Sequence, residues 1–194
     1  MVISVWGKPS PKYQPKHAKA NLPAKLESLT DFPVWRELGP LVIKIAVTAI
    51  SFMVIFTFFY GFHRNTDIDM TPMVKDGDLI LFYRLDRDYA VGDLLLLEFL
   101  GERQVRRVVA VAGDTVDLAE GSLIINGGMQ YEPEIFQETW GYSSEVIFPV
   151  TVGVGQVFVL GDARDNASDS RVYGPVNTSN TLGTVITVIR RRSL

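Results

Sequence analysis

Two aspartates stand two residues apart in the segment 66–75, TDIDMTPMVK. On an extended backbone, residues i and i+2 point to the same side, so the carboxyl groups of Asp67 and Asp69 would lie close together. Such a pair can share one proton and activate water, as in aspartic proteases. The simpler interpretation is that an arginine pairs with one aspartate while the other faces solvent. It is favoured because a nearby arginine lowers carboxylate pKa values and removes the shared proton.

Groups able to activate a hydroxyl nucleophile are scarce beyond the apolar N-terminal part of the chain. The chain has no cysteine, and residues 63–194 contain one lysine, Lys75, and one histidine, His63. Thr71 precedes Lys75 by four residues, but Pro72 disfavours the helical turn that would bring the two side chains together. The sequence around Lys75 indicates a solvated turn residue, and the position of His63 after the apolar segment indicates a residue beside a membrane.

Metal, cofactor and nucleic-acid sites have little support in the sequence. The segment 161–171, GDARDNASDSR, is rich in oxygen ligands but lacks the glycine and the terminal glutamate of an EF-hand loop. The two histidines flank a long apolar segment, so they cannot meet at a zinc ion. A net charge of −3 argues against a nucleic-acid partner, because phosphate binding needs a basic surface. We therefore expect no metal, no cofactor and no nucleic acid.

The segment 41–62, LVIKIAVTAISFMVIFTFFYGF, has Lys44 as its only charged residue. A helix of about 20 such residues spans a bilayer, whereas the apolar region of a cleavable signal peptide has about 7–15 residues. Forty residues precede the segment, and no A-x-A cleavage site follows it. The sequence therefore predicts a retained transmembrane helix over 41–62 and a lipid bilayer as a partner.

The charges on the two sides of this helix predict its orientation. Residues 1–40 carry six lysines and arginines against three acids, and residues 63–194 carry twelve against nineteen. Cytoplasmic flanks are enriched in lysine and arginine. We therefore expect a single-pass protein of the cell membrane with a flexible cytoplasmic tail, 1–40, and an extracytoplasmic domain, 63–194.

Short β-prone runs separated by turn signals follow from residue 78 onward, without a long helical period. The predicted strands are 78–85, 93–99, 104–112, 115–118, 122–126, 145–152, 156–161 and 183–191. Residues 129–144, MQYEPEIFQETWGYSS, break this pattern and indicate an inserted loop or small subdomain. The fold class expected is a mainly β, antiparallel domain on one N-terminal transmembrane helix.

Three segments in this order resemble the motifs of type I signal peptidases, the membrane-anchored Ser/Lys proteases of family S26. The pattern around the family's nucleophile, approximately S-x-S-M-x-P-T followed by G-D, is similar to DIDMTPM and DGDLIL. The lysine segment, approximately Y-I-K-R-V-x-G-x-P-G-D, is similar to QVRRVVAVAGD. The late motif, G-D-N-R-x-x-S-x-D-S-R, is similar to GDARDNASDSR. The resemblance covers about residues 41–190 and implies a signal-peptidase-like β domain.

The resemblance also implies that the reacting groups are lost. The nucleophilic serine corresponds to Asp69, the general-base lysine to Arg106, and the oxyanion-hole serine to Asp67. The late-motif serine that orients the lysine corresponds to Ala167, and the asparagine to Ala163. Arginine stays protonated in proteins, so it cannot accept a proton from a hydroxyl group. We therefore expect a pseudoenzyme without catalytic residues, with a salt bridge between Asp69 and Arg106.

The framework of the motifs is intact, and in the family its charges pair to brace the site. It consists of Arg107, Gly161, Asp162, Arg164, Asp169, Ser170 and Arg171. The family binds its substrate as an extended strand in a groove with apolar pockets near the membrane. The residues that could line such a groove are Met70, Pro72, Met73 and Val74, with ordinary core packing as the alternative.

Non-catalytic relatives of this kind occur in Gram-positive pilus loci, where they support sortase-driven assembly. The resemblance therefore implies a chaperone or scaffold for exported subunits, with pilins and a sortase as the expected partners. Two alternatives remain open: an active signal peptidase with non-standard catalytic groups, and a membrane protein whose domain is only structural.

Overall fold

The structure, a computed structural model, describes residues 34–142 and 146–190. The chain divides into two compact units, Met1–Thr48 and Ala49–Leu194. Helix α1 extends over Val34–Phe58, and its part Leu38–Phe58 is long and apolar enough to cross a membrane, with none of it buried. Most of the predicted tail, 1–40, lies outside the described residues.

The helix ends earlier than the sequence predicted. Residues 60–62, expected at the end of the transmembrane helix, belong to strand β1, Tyr60–Arg64. This strand pairs antiparallel with β2, Leu79–Tyr83, with Phe62 opposite Leu81. The apolar run therefore contains two elements, because its last aromatic residues form backbone hydrogen bonds with a partner strand that hydropathy cannot reveal.

Two antiparallel sheets form the rest of the second unit. The larger sheet has the order β1-β2-β11-β3-β4-β9-β10, and the smaller has the order β7-β6-β5-β8. The remaining strands of the larger sheet are β3 (Leu94–Phe99), β4 (Glu102–Val111), β9 (Gln156–Leu160), β10 (Val176–Asn177) and β11 (Thr181–Ile189). Those of the smaller sheet are β5 (Thr115–Ala119), β6 (Ser122–Ile125), β7 (Gly128–Met129) and β8 (Val150–Thr151). One short helix, α2, spans Ser170–Tyr173.

The expected fold class, mainly β and antiparallel, is confirmed, and each predicted strand overlaps an observed one. The run 145–152 is reduced to β8, Val150–Thr151, since Pro149 has no N–H with which to extend a ladder. Within the predicted insert, Met129 belongs to β7, and residues 130–142 form neither strand nor helix.

Strand β4 carries the site on one face and core on the other, because successive side chains of a strand point to opposite faces. Val105 is fully buried in an apolar cluster with Ile80, Phe82 and Leu96. Its neighbours Gln104 and Arg106 therefore share the opposite face of the strand. The sheet thus fixes the direction in which both polar side chains point.

Candidate functional site: a buried arginine between two aspartates

Arg106 has no solvent exposure and uses its guanidinium to hold two carboxylates. Its Nη2 donates to Asp69 Oδ2 at 2.5 Å, which is the salt bridge predicted from the sequence. Its Nη1 donates to Asp67 Oδ2 at 2.7 Å and to the Val105 carbonyl at 2.6 Å. Its Nε donates to the Ser168 carbonyl at 2.8 Å. The guanidinium is therefore bonded on all three of its nitrogens.

The expectation that one aspartate would face solvent is wrong, because both pair with Arg106. Their side chains are only 18% (Asp67) and 17% (Asp69) exposed. The cause is a tight loop between β1 and β2, which Asn65 closes by donating from Nδ2 to the carbonyls of Asp67, at 2.5 Å, and Lys75, at 3.1 Å. A side chain that joins the two ends of the loop turns both carboxylates toward β4.

The Asp67 side chain also binds the backbone N–H group of Asp69. The Asp69 N–H donates to Asp67 Oδ1 at 2.6 Å. In acyl-transfer enzymes, a backbone N–H at the nucleophile commonly stabilises the negative oxygen of the tetrahedral intermediate. Here a carboxylate oxygen already binds this N–H, so it is not available for a developing oxyanion.

Burial raises the pKa of Asp69 above its ordinary value of 3.8. The Ser168 N–H, which donates to Asp69 Oδ2 at 2.9 Å, and the Arg106 guanidinium act in the opposite direction. The Asp67 carboxylate raises the pKa further, since two negative charges repel each other. Arg106 therefore lowers this pKa as expected, but desolvation outweighs its attraction, and the pKa of Asp69 is raised overall.

The salt bridge does not seal the site, since Asp69 and its neighbour Ile68 line two open clefts. We call the larger the β1–β4 cleft; its volume is about 730 Å³. Its lining residues are His63, Thr66, Asp67, Ile68, Asp69, Gly101, Glu102, Arg103, Gln104 and Ser168. The second cleft, of about 430 Å³, lies between this segment and Ala163 and Asn166 of the late motif.

Charged pairs from the late motif surround the site. Arg107 binds Asp162 through two hydrogen bonds of 2.8 and 2.7 Å. Arg171 and Asp169, both buried, form a second pair with hydrogen bonds of 2.9 and 2.8 Å. Breaking a buried pair of this kind typically costs about 3–5 kcal/mol, so these contacts hold the motif in place.

The buried Arg164 pairs outside the motif, which the sequence did not predict. Its two Nη atoms donate to Glu132 at 2.8 and 2.6 Å, and Nη1 also bonds the Thr139 hydroxyl. The Tyr142 hydroxyl donates to the Arg164 carbonyl at 3.1 Å. All three partners belong to the predicted insert 129–144, so this segment is fastened to the motif rather than independent of it.

The late motif packs directly on the backbone of Asp69. The Ala163 N–H donates to the Asp69 carbonyl at 2.8 Å, and Ala167 is buried. A Cβ atom on Gly161 would collide with the Ala167 methyl group and lie 2.7 Å from the Asp69 carbonyl oxygen. Ser170 contributes its hydroxyl as acceptor for the Val159 N–H at 3.0 Å. The intact glycine is therefore a requirement of packing at the site.

The predicted apolar groove is wrong for two of its four residues. Met70 and Val74 are 1% and 0% exposed and belong to the core cluster beneath β4, which was the alternative interpretation. Pro72 and Met73 line a separate cleft of about 380 Å³. Sequence reasoning missed Ile68, which is 66% exposed beside the aspartates. Its position between two inward-facing residues could have indicated this, because i+1 on an extended segment points the other way.

Comparisons with known proteins identify the family. Residues 36–189 match the model for "Signal peptidase, peptidase S26". The chain is 29% identical to a probable signal peptidase I-1 of Synechocystis over 73% of this chain and 77% of the relative. It is 28% identical to a signal peptidase I of Bacillus licheniformis over 66% of this chain and 74% of the relative.

A plant relative and a solved structure complete the comparison. A probable thylakoidal processing peptidase 2 of Arabidopsis thaliana is 38% identical over 72% of this chain, which spans only 41% of that relative. The crystal structure of a signal peptidase I from Enterococcus faecalis is similar over 52% of this chain and 97% of that chain, with 27% identity and a TM-score of 0.46. Because the family model matches well over half of the sequence, the chain belongs to the signal peptidase family, peptidase S26.

Proposed function

We propose that this chain is a membrane-anchored, non-catalytic member of the signal peptidase family that binds exported proteins and assists their assembly. The observation that carries this proposal is the contact of the buried Arg106 guanidinium with both Asp67 and Asp69. By resemblance to the family, Arg106 stands at the position of the general base, Asp67 at that of the oxyanion-hole serine and Asp69 at that of the nucleophile. The proposed role is that of a chaperone or scaffold.

Three requirements of hydroxyl-based peptide cleavage fail at three different residues. A general base must be deprotonated to accept a proton, and the guanidinium of Arg106 stays protonated. Asp69 has no hydroxyl group to attack with, and its carboxylate is held by Arg106 and Ser168. The Asp69 N–H, a natural oxyanion donor, is occupied by Asp67. Each loss alone would lower catalysis strongly, and they occur together.

Peptide binding does not depend on these lost groups. The β1–β4 cleft is open, and strand β1, which provides His63 to its wall, is the terminal strand of the larger sheet. An extended peptide can add to such an edge through backbone hydrogen bonds. The helix Leu38–Phe58 would anchor the chain in the membrane across which exported chains emerge.

Exported surface proteins, with pilin subunits first among them, are the proposed cargo, and a sortase is the proposed enzymatic partner. The charge difference between the two flanks of the apolar helix supports an extracytoplasmic location for residues 63–194. In this proposal, the chain holds an exported subunit until the sortase joins that subunit to the cell surface.

An active peptidase is the second candidate, and two observations favour it. The relatives carry the names of signal peptidases and processing peptidases. In addition, Asp69 has a raised pKa beside a second carboxylate, which is the setting in which an aspartic pair can hold a proton. In this case, peptide turnover would depend on Asp67 and Asp69 rather than on a hydroxyl group.

A photo-crosslinking amino acid placed at Ile68 tests the proposed function in living cells. Ile68 lines the β1–β4 cleft, whereas Val154, 97% exposed on a turn that does not line the cleft, provides the matched control position. We expect uncleaved or mature exported subunits to be captured from Ile68 and not from Val154. Equal capture at both positions, or capture of cytoplasmic proteins alone, would contradict the proposal.

A further inference from the structure

We propose that the β1–β4 cleft selects extended peptides that carry a basic side chain, with the cation on Asp69 and a peptide N–H on Gln104 Oε1. This inference rests on the proposed function, since it specifies which peptides the cleft binds. It concerns the same cleft but adds a preference for basic side chains, which peptide binding alone does not require.

Gln104 provides the first support. It precedes Arg106 by two residues on β4, lines the cleft, and is 7% exposed. Within the described part of the chain, its buried Oε1 atom has no hydrogen-bond partner. A buried amide oxygen without a donor is costly in free energy, and it is rare unless a ligand or water supplies the donor. The backbone N–H of an added peptide strand is such a donor.

The charge of the cleft provides the second support. Its ionisable lining residues are His63, Asp67, Asp69, Glu102 and Arg103. Burial and the positive charge of Arg103 lower the pKa of His63, which favours its neutral form. The Arg103 guanidinium lies 3.7 Å from Glu98, an acid outside the lining, so part of its charge is already compensated. With Arg106 behind the two aspartates, negative charge remains in excess. A cationic side chain complements this excess, and an acidic one does not.

Asp69 provides the contact itself. Within the described part of the chain, its hydrogen bonds from Arg106 and Ser168 both go to Oδ2, and we assign the ligand contact to Oδ1. Burial and the neighbouring Asp67 carboxylate raise the pKa of Asp69, and a bound cation would relieve both effects. A small apolar side chain would instead desolvate Oδ1 without replacing the lost water. The exposed Ile68 offers a surface for the methylene stem of a lysine.

The test uses the full-length protein in detergent and three labelled host peptides of alternating alanine and threonine. Their central residue is lysine, norleucine or glutamate, and binding is followed by fluorescence anisotropy. We expect the lysine peptide to bind about fivefold more tightly than the norleucine peptide, and the glutamate peptide to bind most weakly. The lysine preference should shrink as salt is added, because the contact is electrostatic.

Two variants and one control variant separate the contributions of Asp69 and Gln104. Asp69→Asn should remove the lysine preference, so that the lysine and norleucine peptides bind with equal affinity to this variant. Asp76→Asn, an exposed carboxylate outside the cleft, should leave the preference intact. Gln104→Leu should weaken all three peptides equally without lowering the thermal midpoint, since no hydrogen bond within the described chain is lost. A fall in the midpoint instead would show that Gln104 serves stability rather than binding.

The outcomes distinguish this inference from the proposed function. Equal affinity for the lysine and norleucine peptides would overturn the basic-residue inference and leave peptide binding standing. A lysine preference that persists in Asp69→Asn would overturn the assignment to Asp69. Absence of binding by all three peptides, in wild type and variants alike, would overturn the inference and the peptide-binding role together.

Discussion

Arg106 joins two carboxylates at a position that solvent does not reach. Replacing it by leucine leaves Asp67 and Asp69 facing each other without a counter-charge. We predict that Arg106→Leu lowers the free energy of unfolding by about 3–5 kcal/mol. Urea unfolding of the detergent-solubilised protein measures this loss.

Two further variants control the Arg106 prediction. Arg103→Leu changes a half-exposed arginine of the same strand and should cost less than about 1 kcal/mol. Adding Asp67→Asn and Asp69→Asn to Arg106→Leu should recover most of the loss, since no unpaired charge then remains. An equal loss with and without these two substitutions would contradict the assignment of the penalty to charge.

The raised pKa of Asp69 predicts a pH dependence of stability. Between the ordinary pKa of 3.8 and the raised value, the folded state binds more protons than the unfolded state. Stability from this group is therefore lost as pH rises through that window. The stability of Asp69→Asn relative to wild type should increase over the same range and then level off. Urea unfolding of both proteins across pH measures the difference. An opposite slope would show that the attraction of Arg106 and Ser168 outweighs burial, so that the pKa of Asp69 is lowered overall.

At the scale of single residues, the sequence predicted one of the two carboxylate contacts of Arg106. The positions of Asp69 and Arg106 in the motifs were sufficient to predict their contact. The contact with Asp67 was not predictable, because it depends on the loop closed by the Asn65 side chain. Gln104 was equally hidden, since an unpaired buried oxygen becomes visible only when its neighbours are placed.

At the scale of elements, the late motif is positioned by close packing on the segment that carries Asp69. Gly161→Ala places a methyl group against Ala167 and 2.7 Å from the Asp69 carbonyl oxygen. We predict a loss of about 1–3 kcal/mol in the free energy of unfolding, measured with urea, together with weaker peptide binding in the cleft.

Gly141→Ala is the matched control for this substitution. An added Cβ there would lie 3.7 Å from Leu118 and 3.9 Å from Phe148, which is ordinary contact. This variant should remain within about 0.5 kcal/mol of wild type. If Gly161→Ala were as well tolerated as Gly141→Ala, the two segments would not be packed as described.

The strands were largely predictable, since β-prone runs between turn residues mark them directly. Three short or concealed strands were missed: β1, β7 and β10. β1 continues an apolar run that reads as helix, and β7 and β10 have two residues each, too few for a periodic signal. The attachment of the insert through Arg164 and Glu132 depends on tertiary contacts that no local pattern encodes.

At the scale of the whole molecule, orientation in the membrane decides which compartment the β1–β4 cleft faces. The chain has no cysteine, so single cysteines can report location without background. We predict that Val154→Cys reacts with an impermeant maleimide on intact cells, since this side chain is 97% exposed and the proposed orientation places it outside the cytoplasm. Ser10→Cys, in the tail, should react only after permeabilisation. The reverse pattern would place the cleft in the cytoplasm.

The site retains the charged framework of the family motifs, and we propose that it has lost the ability to cleave peptides. The most direct measurement is the cleavage of a labelled preprotein by the purified full-length protein in detergent. We predict no turnover by wild type, and turnover by a variant carrying Asp67→Ser, Asp69→Ser, Arg106→Lys and Ala167→Ser together. Wild-type turnover that is lost in both Asp69→Asn and Arg106→Lys would contradict the account.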